Sequence, residues 1–327
     1  MTCCYFHFIL ESSFDSAYFI LQDPGRIILH IVTDALNYPA MMMWFLTNPP
    51  TPAAIQIKSL DDLKWLPGDF SSRFKLKGVR DPRYTSALNH LRFYLPEVFP
   101  SLSKVVLLDH DVVVQNELTG LWDLDMKGKI IGAVETCTSS EGYHRLDSLV
   151  DFSNPNIFNK LDPKACAFAF GMNIFDLNEW RKQDLTTTYH KWFQLVCVND
   201  ILFINFEGAL LLCEVFLRLL LVYDTLFRFG FQFIFQGKIQ KLWKAGSLPL
   251  GQLIFYNRTL PLDHRWHVLG LGHDFSIGRD ELESASVIHY SGKLKPWLEI
   301  SIPKYRHYWN RYLNYDNLHL QQCNIHG

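Results

Sequence analysis

The chain has 327 residues, 48% of them hydrophobic and 20% charged, enough to bury one large core or two ordinary ones. A formal net charge of −2 leaves no global basic field for nucleic acid or an anionic membrane surface. Seven cysteines without a Cys-x-x-Cys pair argue against structural zinc.

Residues 1–26 lack the pattern of a secretory signal: there is no basic n-region, and acidic residues interrupt the apolar runs. Ile27 to Val32 reads as a strand bounded by Thr33 and Asp34, with helical spacing resuming after Pro39. The stretch from Asp81 to Pro100 reads as a helix. Leu88, Leu91 and Leu95 share one face, and Pro96 ends it. Strands follow at Val105 to Leu108 and Lys129 to Thr136, then a strand running into a helix over Ala167 to Lys182. Short strands with Gly-rich ends fall in "WHVLGLGHD" and "SASVIHYSG". Strands alternating with helices predict an α/β fold with a mixed, mostly parallel central sheet flanked by helices.

Leu195 to Phe235 stands apart as far more apolar than its surroundings. It is long enough to span a bilayer, yet it carries Glu207, Glu214 and Arg218. Each such charge costs about 2.5–3.5 kcal/mol at a bilayer centre. A buried or loosely packed helical hairpin is the preferred reading. Cys137 and Cys166 could meet in space, and two ordinary buried thiols are an equal alternative. One sequon, "NRT" at Asn257, is compatible with a secretory lumen.

Chemistry concentrates in "KVVLLDHDVVVQ", Lys104 to Gln115, where two carboxylates interrupt an apolar run. Buried charge needs a partner or a cation. On a strand, side chains alternate, so Asp109 and Asp111 face one side and His110 the other. Ligands of open α/β sheets bind beyond the carboxyl ends of strands. Two carboxylates there make a hard anionic site suited to Mg2+ or Mn2+. Such a pair alone more often caps a loop.

The second motif is "HYSGKLKPW", His289 to Trp297, following an apolar strand. His289 at the strand end offers an imidazole ligand, which favours Mn2+ over Mg2+. Gly292 lets backbone approach a phosphate closely. Lys295 would set a compact positive charge beside a diphosphate, with Pro296 holding it extended.

With "HIVTDALNYPAMMMWF", "RYTSALNHLRFYLPE", "LLDHDVVVQNELTGLWDLDMKGKIIGAVETC", "FGMNIFDLNEWRK", "WHVLGLG" and "VIHYSGKLKPWLE", the chain resembles the plant galacturonosyltransferases of glycosyltransferase family 8. The resemblance covers roughly Ile28 to Trp192 and Leu242 to Asn324. It implies a GT-A fold over residues 27–327, with 1–26 an atypical N-terminal segment and about 195–237 an apolar insertion. That insertion has the composition of translated non-coding sequence more than of an evolved loop. The resemblance implies Mn2+ with Mg2+ as alternative, a UDP-sugar donor, and retaining transfer of galacturonic acid from UDP-galacturonate to an oligogalacturonide, through a front-side, oxocarbenium-like route. It implies a Golgi setting, a homologous transferase subunit as partner, and no nucleic acid.

By the same resemblance Asp109, Asp111 and His289 are the metal ligands, and Gly292 and Lys295 contact the UDP diphosphate. Arg92 matches a family arginine near the donor, with an ion pair at the surface as its other reading. Glu135, Asn173 and Gln252, the last in the turn "SLPLGQ", are expected to line the donor-sugar pocket. Arg145 is expected to meet the uronic carboxylate. Three features depart from the family: "YFHFILESS" where it has a strand of the "VSVVVNS" kind, the apolar insertion, and His110 where most members carry an acid. They keep open a non-catalytic, GT-A-shaped partner subunit.

Overall fold

The computed structural model describes residues 28–49, 53–66, 88–137, 145–154, 157, 160–192, 247–316 and 321. The N-terminal segment 1–26 and the apolar segment 195–237 lie outside the described residues. Among the described residues no helix is long and apolar enough to cross a membrane.

Nine strands form three sheets among these residues. Strands β1 (Ile28–Thr33) and β2 (Ala54–Ser59) make a parallel pair. The helix Tyr38–Thr47 that joins them turns Met41 and Trp44 onto Ile31. The central sheet has the order β3-β6-β5-β7, from Lys104–Leu108, Met172–Asp176, Ile131–Val134 and Thr259–Leu262. The third sheet, β4-β9-β8, joins Val112–Val114, Val287–His289 and Val268–Leu269. The architecture is the expected α/β one. Pairing is evenly divided, with β1·β2, β5·β7 and β8·β9 parallel and β3·β6, β5·β6 and β4·β9 antiparallel.

Alternation along β4 joins two cores. Val112 and Val114 pack with Leu121, Met172, Ile174 and Val287 against the central sheet. Val113 faces the other way, onto Ile288, Tyr290, Tyr305 and Trp309. Under the central sheet lies an aromatic cluster of Phe93, Phe175, Trp180, Tyr189 and Phe255. Phe93 and Tyr189 stack with centroids 4.8 Å apart. Truncating one such ring to alanine costs about 3–5 kcal/mol. Asp176 ends β6 and caps the helix Leu177–Lys182, accepting from the backbone of Asn178 and Glu179.

Two local expectations are corrected. Pro96 does not end a helix. The chain runs Leu88–Leu91, a 3-10 turn at Arg92–Tyr94, then a further helix Leu95–Val98 with Pro96 in its first turn. The missing N–H costs nothing there, because the first N–H groups of a helix have no intrahelical partner. "SLPLGQ" is likewise not a turn: it opens the helix Ser247–Phe255, with Pro249 in its first turn. Gly251 lets that helix press on Phe170, whose Cζ would lie 2.6 Å from an added Cβ.

Cys137 and Cys166 form a disulfide, with Cα atoms 5.4 Å apart, so the thiol alternative is set aside. It fastens the end of β5 to the stretch leading into β6. An isolated bridge between Glu135 and Phe168 lies beside it.

Candidate metal and nucleotide site

The two aspartates do not sit within a strand. β3 ends at Leu108 and β4 begins at Val112, so Asp109–His110–Asp111 is the link between two sheets. β3 pairs with β6 and β4 with β9, and the chain must turn to serve both. The turn is pinned on each side. Asp109 N donates to Gly171 O at 2.8 Å, and Tyr290 N donates to Asp111 O at 2.9 Å. A turn, not strand alternation, brings the two carboxylates together. His110 lies at the surface, its ring 5.8 Å from that of Trp297.

His289 closes β9 opposite Val112. Asp109, Asp111 and His289 each present a ligand atom, all within 4.8 Å of one another. Asp111 and His289 are buried, and Asp109 is half-buried. His289 Nε2 lies 3.1 Å from Asp111 Oδ1, and Lys295 Nζ donates to Asp111 Oδ2 and, at 2.9 Å, to Tyr290 O. Burial opposes ionisation of Asp111, but His289 and Lys295 outweigh it and hold the carboxyl well below the usual carboxylate range. Arg92 ion-pairs with Asp109 Oδ1 at 3.3 Å and lies over the Phe170 ring. Its side chain is 13% exposed, so this ion pair is not a surface one.

Behind His289 stands His267, fully buried, with Nε2 3.1 Å from His289 Nδ1. Burial, with His289 adjacent, pushes the His267 imidazole well below its ordinary pKa. Sequence reasoning missed this residue; its signal was a lone imidazole among the apolar residues of "WHVLGLG". Gly171 was missed as well. It adopts φ +124°, and an added Cβ would lie 2.3 Å from His289 Cε1.

Gly292 adopts φ +108° and bridges Gly272 in parallel. A Cβ there would meet Gly272 O at 2.7 Å, so close backbone packing alone requires glycine at this position. The other expected lining residues are placed less favourably. Asn173 is fully buried in β6 and donates to Ala169 O at 2.9 Å. Gln252 is buried too, its amide paired in both directions with the Phe168 backbone at 3.0 and 2.8 Å. Each end of the Gln252 amide is thus engaged once with the Phe168 backbone, which leaves one N–H and one lone pair of that amide. Glu135 is half-buried at the end of β5, bridged to Phe168. Arg145 is exposed and bridged to Cys166; it makes no ion pair with the cluster among the described residues.

Two hard carboxylates and an imidazole, gathered at one point, fit a divalent cation of the Mg2+ or Mn2+ type. Lys295, seated on Asp111, supplies the positive charge that the carboxylate requires in this arrangement.

The family model for glycosyl transferase family 8 matches residues 32–202 and 223–301. This chain belongs to glycosyl transferase family 8. It is 46% identical over 306 residues to probable galacturonosyltransferase 5 of Arabidopsis thaliana, covering 93% of this chain and 43% of that protein. Probable galacturonosyltransferases 4 and 6 of the same plant are 42% and 45% identical, again over 93% of the chain. The chain spans less than half the length of these relatives, 46% and 45% for the latter two. Among solved structures, the apo WbbM bifunctional glycosyltransferase superposes with a TM-score of 0.62 at 15% identity, covering 98% of this chain and 50% of that one. The galactosyltransferase LgtC, with donor and acceptor sugar analogues, gives 0.60 at 15% identity, covering 94% of this family 8 chain and 91% of that one. These likenesses show the fold, which is the GT-A glycosyltransferase architecture.

Proposed function

We propose that this family 8 chain transfers galacturonic acid from UDP-galacturonate to an oligogalacturonide of the pectin backbone, retaining the anomeric configuration, in the Golgi lumen. The observation that carries the reading is the convergence of Asp109, Asp111 and His289 within 4.8 Å on a chain of this kinship. The disulfide between Cys137 and Cys166 supports an oxidising lumen.

Asp109, Asp111 and His289 would hold the cation, Mn2+ by the imidazole in the set. When bound, the cation supplies Lewis-acid stabilisation of the departing diphosphate. The chain's own residues do the rest. Asp111 is held in its ionised form by Lys295, which donates to its Oδ2. Lys295 brings a fixed positive charge to the mouth of the cluster, where it can stabilise charge developing on a leaving UDP. Arg92 holds Asp109 at 3.3 Å and sets the orientation of that carboxylate. The acceptor hydroxyl attacks from the face that UDP leaves, and no carboxylate nucleophile is assigned.

Calorimetry of UDP with and without Mn2+, followed by a transfer assay with UDP-galacturonate and a labelled oligogalacturonide, tests this. Mn2+-dependent UDP binding with chain elongation is expected. Binding without elongation would replace the enzyme reading with the non-catalytic partner subunit. Absence of Mn2+ dependence would remove the metal assignment.

A further inference from the structure

We propose that His267 is the positioning residue of this site: it fixes the ring plane and the tautomer of His289. The proposal rests on the reading of His289 as a metal ligand. The two rings lie within 16° of one plane, joined edge to edge by the 3.1 Å contact between His267 Nε2 and His289 Nδ1. His267 Nδ1 is buried without a hydrogen-bond partner among the described residues. Among the described residues the His267 side chain therefore has one hydrogen-bond contact, and it is to His289.

Each neutral imidazole carries one N–H. In one arrangement His267 Nε2–H donates to His289 Nδ1, and His289 Nε2–H donates to Asp111 Oδ1. That arrangement satisfies the site without a cation but occupies the nitrogen facing the carboxylates. In the other, His289 Nδ1–H donates to His267 Nε2, and the lone pair on His289 Nε2 is free to ligate. Passing between them takes one proton off His289 Nε2, moves one from His267 Nε2 to His289 Nδ1, and returns one to His267 Nδ1. Both rings stay neutral and the count is unchanged. A ligating histidine is held in this way by an acceptor on its other nitrogen, and loss of such an acceptor lowers metal affinity roughly 10–100-fold. Here the acceptor is a second histidine.

The test compares Mn2+ affinity, by calorimetry and Mn2+ electron paramagnetic resonance, in the full chain and in His267→Leu and His267→Gln. A Kd raised about 10–100-fold in the leucine variant is expected, with most of the loss recovered by glutamine, whose amide can accept. Absence of Mn2+ binding by the unaltered chain removes the metal reading itself. Binding by that chain with an equal Kd in His267→Leu overturns the role of His267 alone. Equal losses in both variants also overturn it, as a packing effect. The unaltered chain gives an independent answer if the variants misfold. Imidazole 15N spectra with Mg2+ bound must place the His289 proton on Nδ1, and a proton on Nε2 overturns the proposal.

A separate observation assigns a modification site. Asn257, of Asn-Arg-Thr, is exposed in the turn between the helix Ser247–Phe255 and β7, with φ +60°. The turn is held by Arg258 N donating to Phe255 O at 2.8 Å and by Lys129 Nζ donating to Asn257 O at 2.7 Å. The Asn257 side chain makes no hydrogen bond among the described residues. The strand directions place it away from the metal cluster. β7 starts beside Ile131, the start of β5, while the far end of β5 meets the start of β6 near Gly171 and Asp109. A glycan on Asn257 Nδ2 would therefore stand at the sheet end opposite the chemistry. With a disulfide marking an oxidising lumen, the geometry points to N-linked glycosylation here.

Expression of the full chain through a secretory route, with glycosidase digestion in heavy-oxygen water, tests it. A mobility shift that Asn257→Gln abolishes, with the label at position 257, is expected. An unshifted chain whose Cys137–Cys166 bond has formed overturns the site while leaving the lumenal reading intact. A shift that persists in Asn257→Gln also overturns it.

Discussion

The Gly171 backbone lies where a Cβ would come within 2.3 Å of His289 Cε1 and 2.5 Å of its Nδ1. One residue earlier than β6, this glycine also accepts the Asp109 N–H at 2.8 Å. It therefore positions both halves of the cluster. Gly171→Ala must either displace the imidazole or bend the link, at a φ of +124° that alanine resists. Mn2+ affinity measured by calorimetry should fall by about tenfold or more, in the range seen when a ligand's supporting contacts are lost. An unchanged affinity would show that His289 is not a ligand in this orientation.

Lys295 and the cation compete for one oxygen, since the ammonium donates to Asp111 Oδ2. Lys295→Gln should therefore bind Mn2+ alone at least as tightly as the unaltered chain. The same variant should lose affinity for UDP in the presence of Mn2+ by about 10–100-fold, the worth of one charge-assisted hydrogen bond. Asp111→Asn should instead abolish the Mn2+ dependence altogether. Opposite behaviour of the two variants in one titration series separates a ligand from a phosphate contact.

The disulfide closes a loop of sequence separation 29. Loop-closure entropy gives about 3–4 kcal/mol for a bridge of that span. Cys137→Ser with Cys166→Ser should lower the unfolding free energy from urea titration by about that amount, with an earlier midpoint. Added reductant should destabilise the unaltered chain and leave the double variant unmoved. Equal sensitivity of both to reductant would refute the assignment.

How much of this was legible beforehand follows from which interactions are local. Asp109 and Asp111 were readable because carboxylates inside an apolar run are anomalous wherever the run is buried, and His289 because it ends an apolar strand in "HYSGKLKPW". The strands around them were readable from β-branched residues such as Val112 to Val114. The turn at Asp109–Asp111 was not, because only the assignment of β3 and β4 to different sheets requires it. His267 and Gly171 were hidden for the same reason: each matters through contacts distant in the chain, His267 to His289 22 positions away and Gly171 to Asp109 and His289, 62 and 118 positions away. "SLPLGQ" misled because proline and glycine usually break helices; here one sits in the first turn and the other against Phe170. Gln252 was expected to line the pocket by family resemblance, and its amide serves as an extra backbone pair for Phe168.

His90 makes stability depend on pH. It is buried beside Tyr189 Oη at 3.4 Å, and burial first, then the nearby Arg92 charge, lowers its pKa to about 3. The unfolded state binds a proton below an ordinary histidine pKa of about 6.5, while the folded state stays neutral. Stability from this group is thus complete above about pH 6.5 and is lost as pH falls toward about 3, by up to about 1.4 kcal/mol per pH unit. His90→Phe should flatten the pH dependence of the urea midpoint across that window. A slope unchanged by the substitution would place the dependence on other groups.

The family model passes from residue 202 to residue 223, leaving 203–222 unmatched within the apolar segment. Every candidate ligand lies in matched sequence, at Asp109, Asp111 and His289. So do the residues that hold them, Arg92, Gly171, His267 and Lys295. None of these contacts requires 203–222. Deleting that stretch should therefore preserve Mn2+-dependent UDP binding, with Kd within about threefold, or about 0.7 kcal/mol, of the unaltered chain. An apolar run without family counterpart is also an aggregation hazard. The deletion should accordingly raise the soluble yield and narrow the size-exclusion peak. Loss of UDP binding in a soluble, folded deletion variant would show that the segment completes the donor site, and would make it a functional addition to the fold.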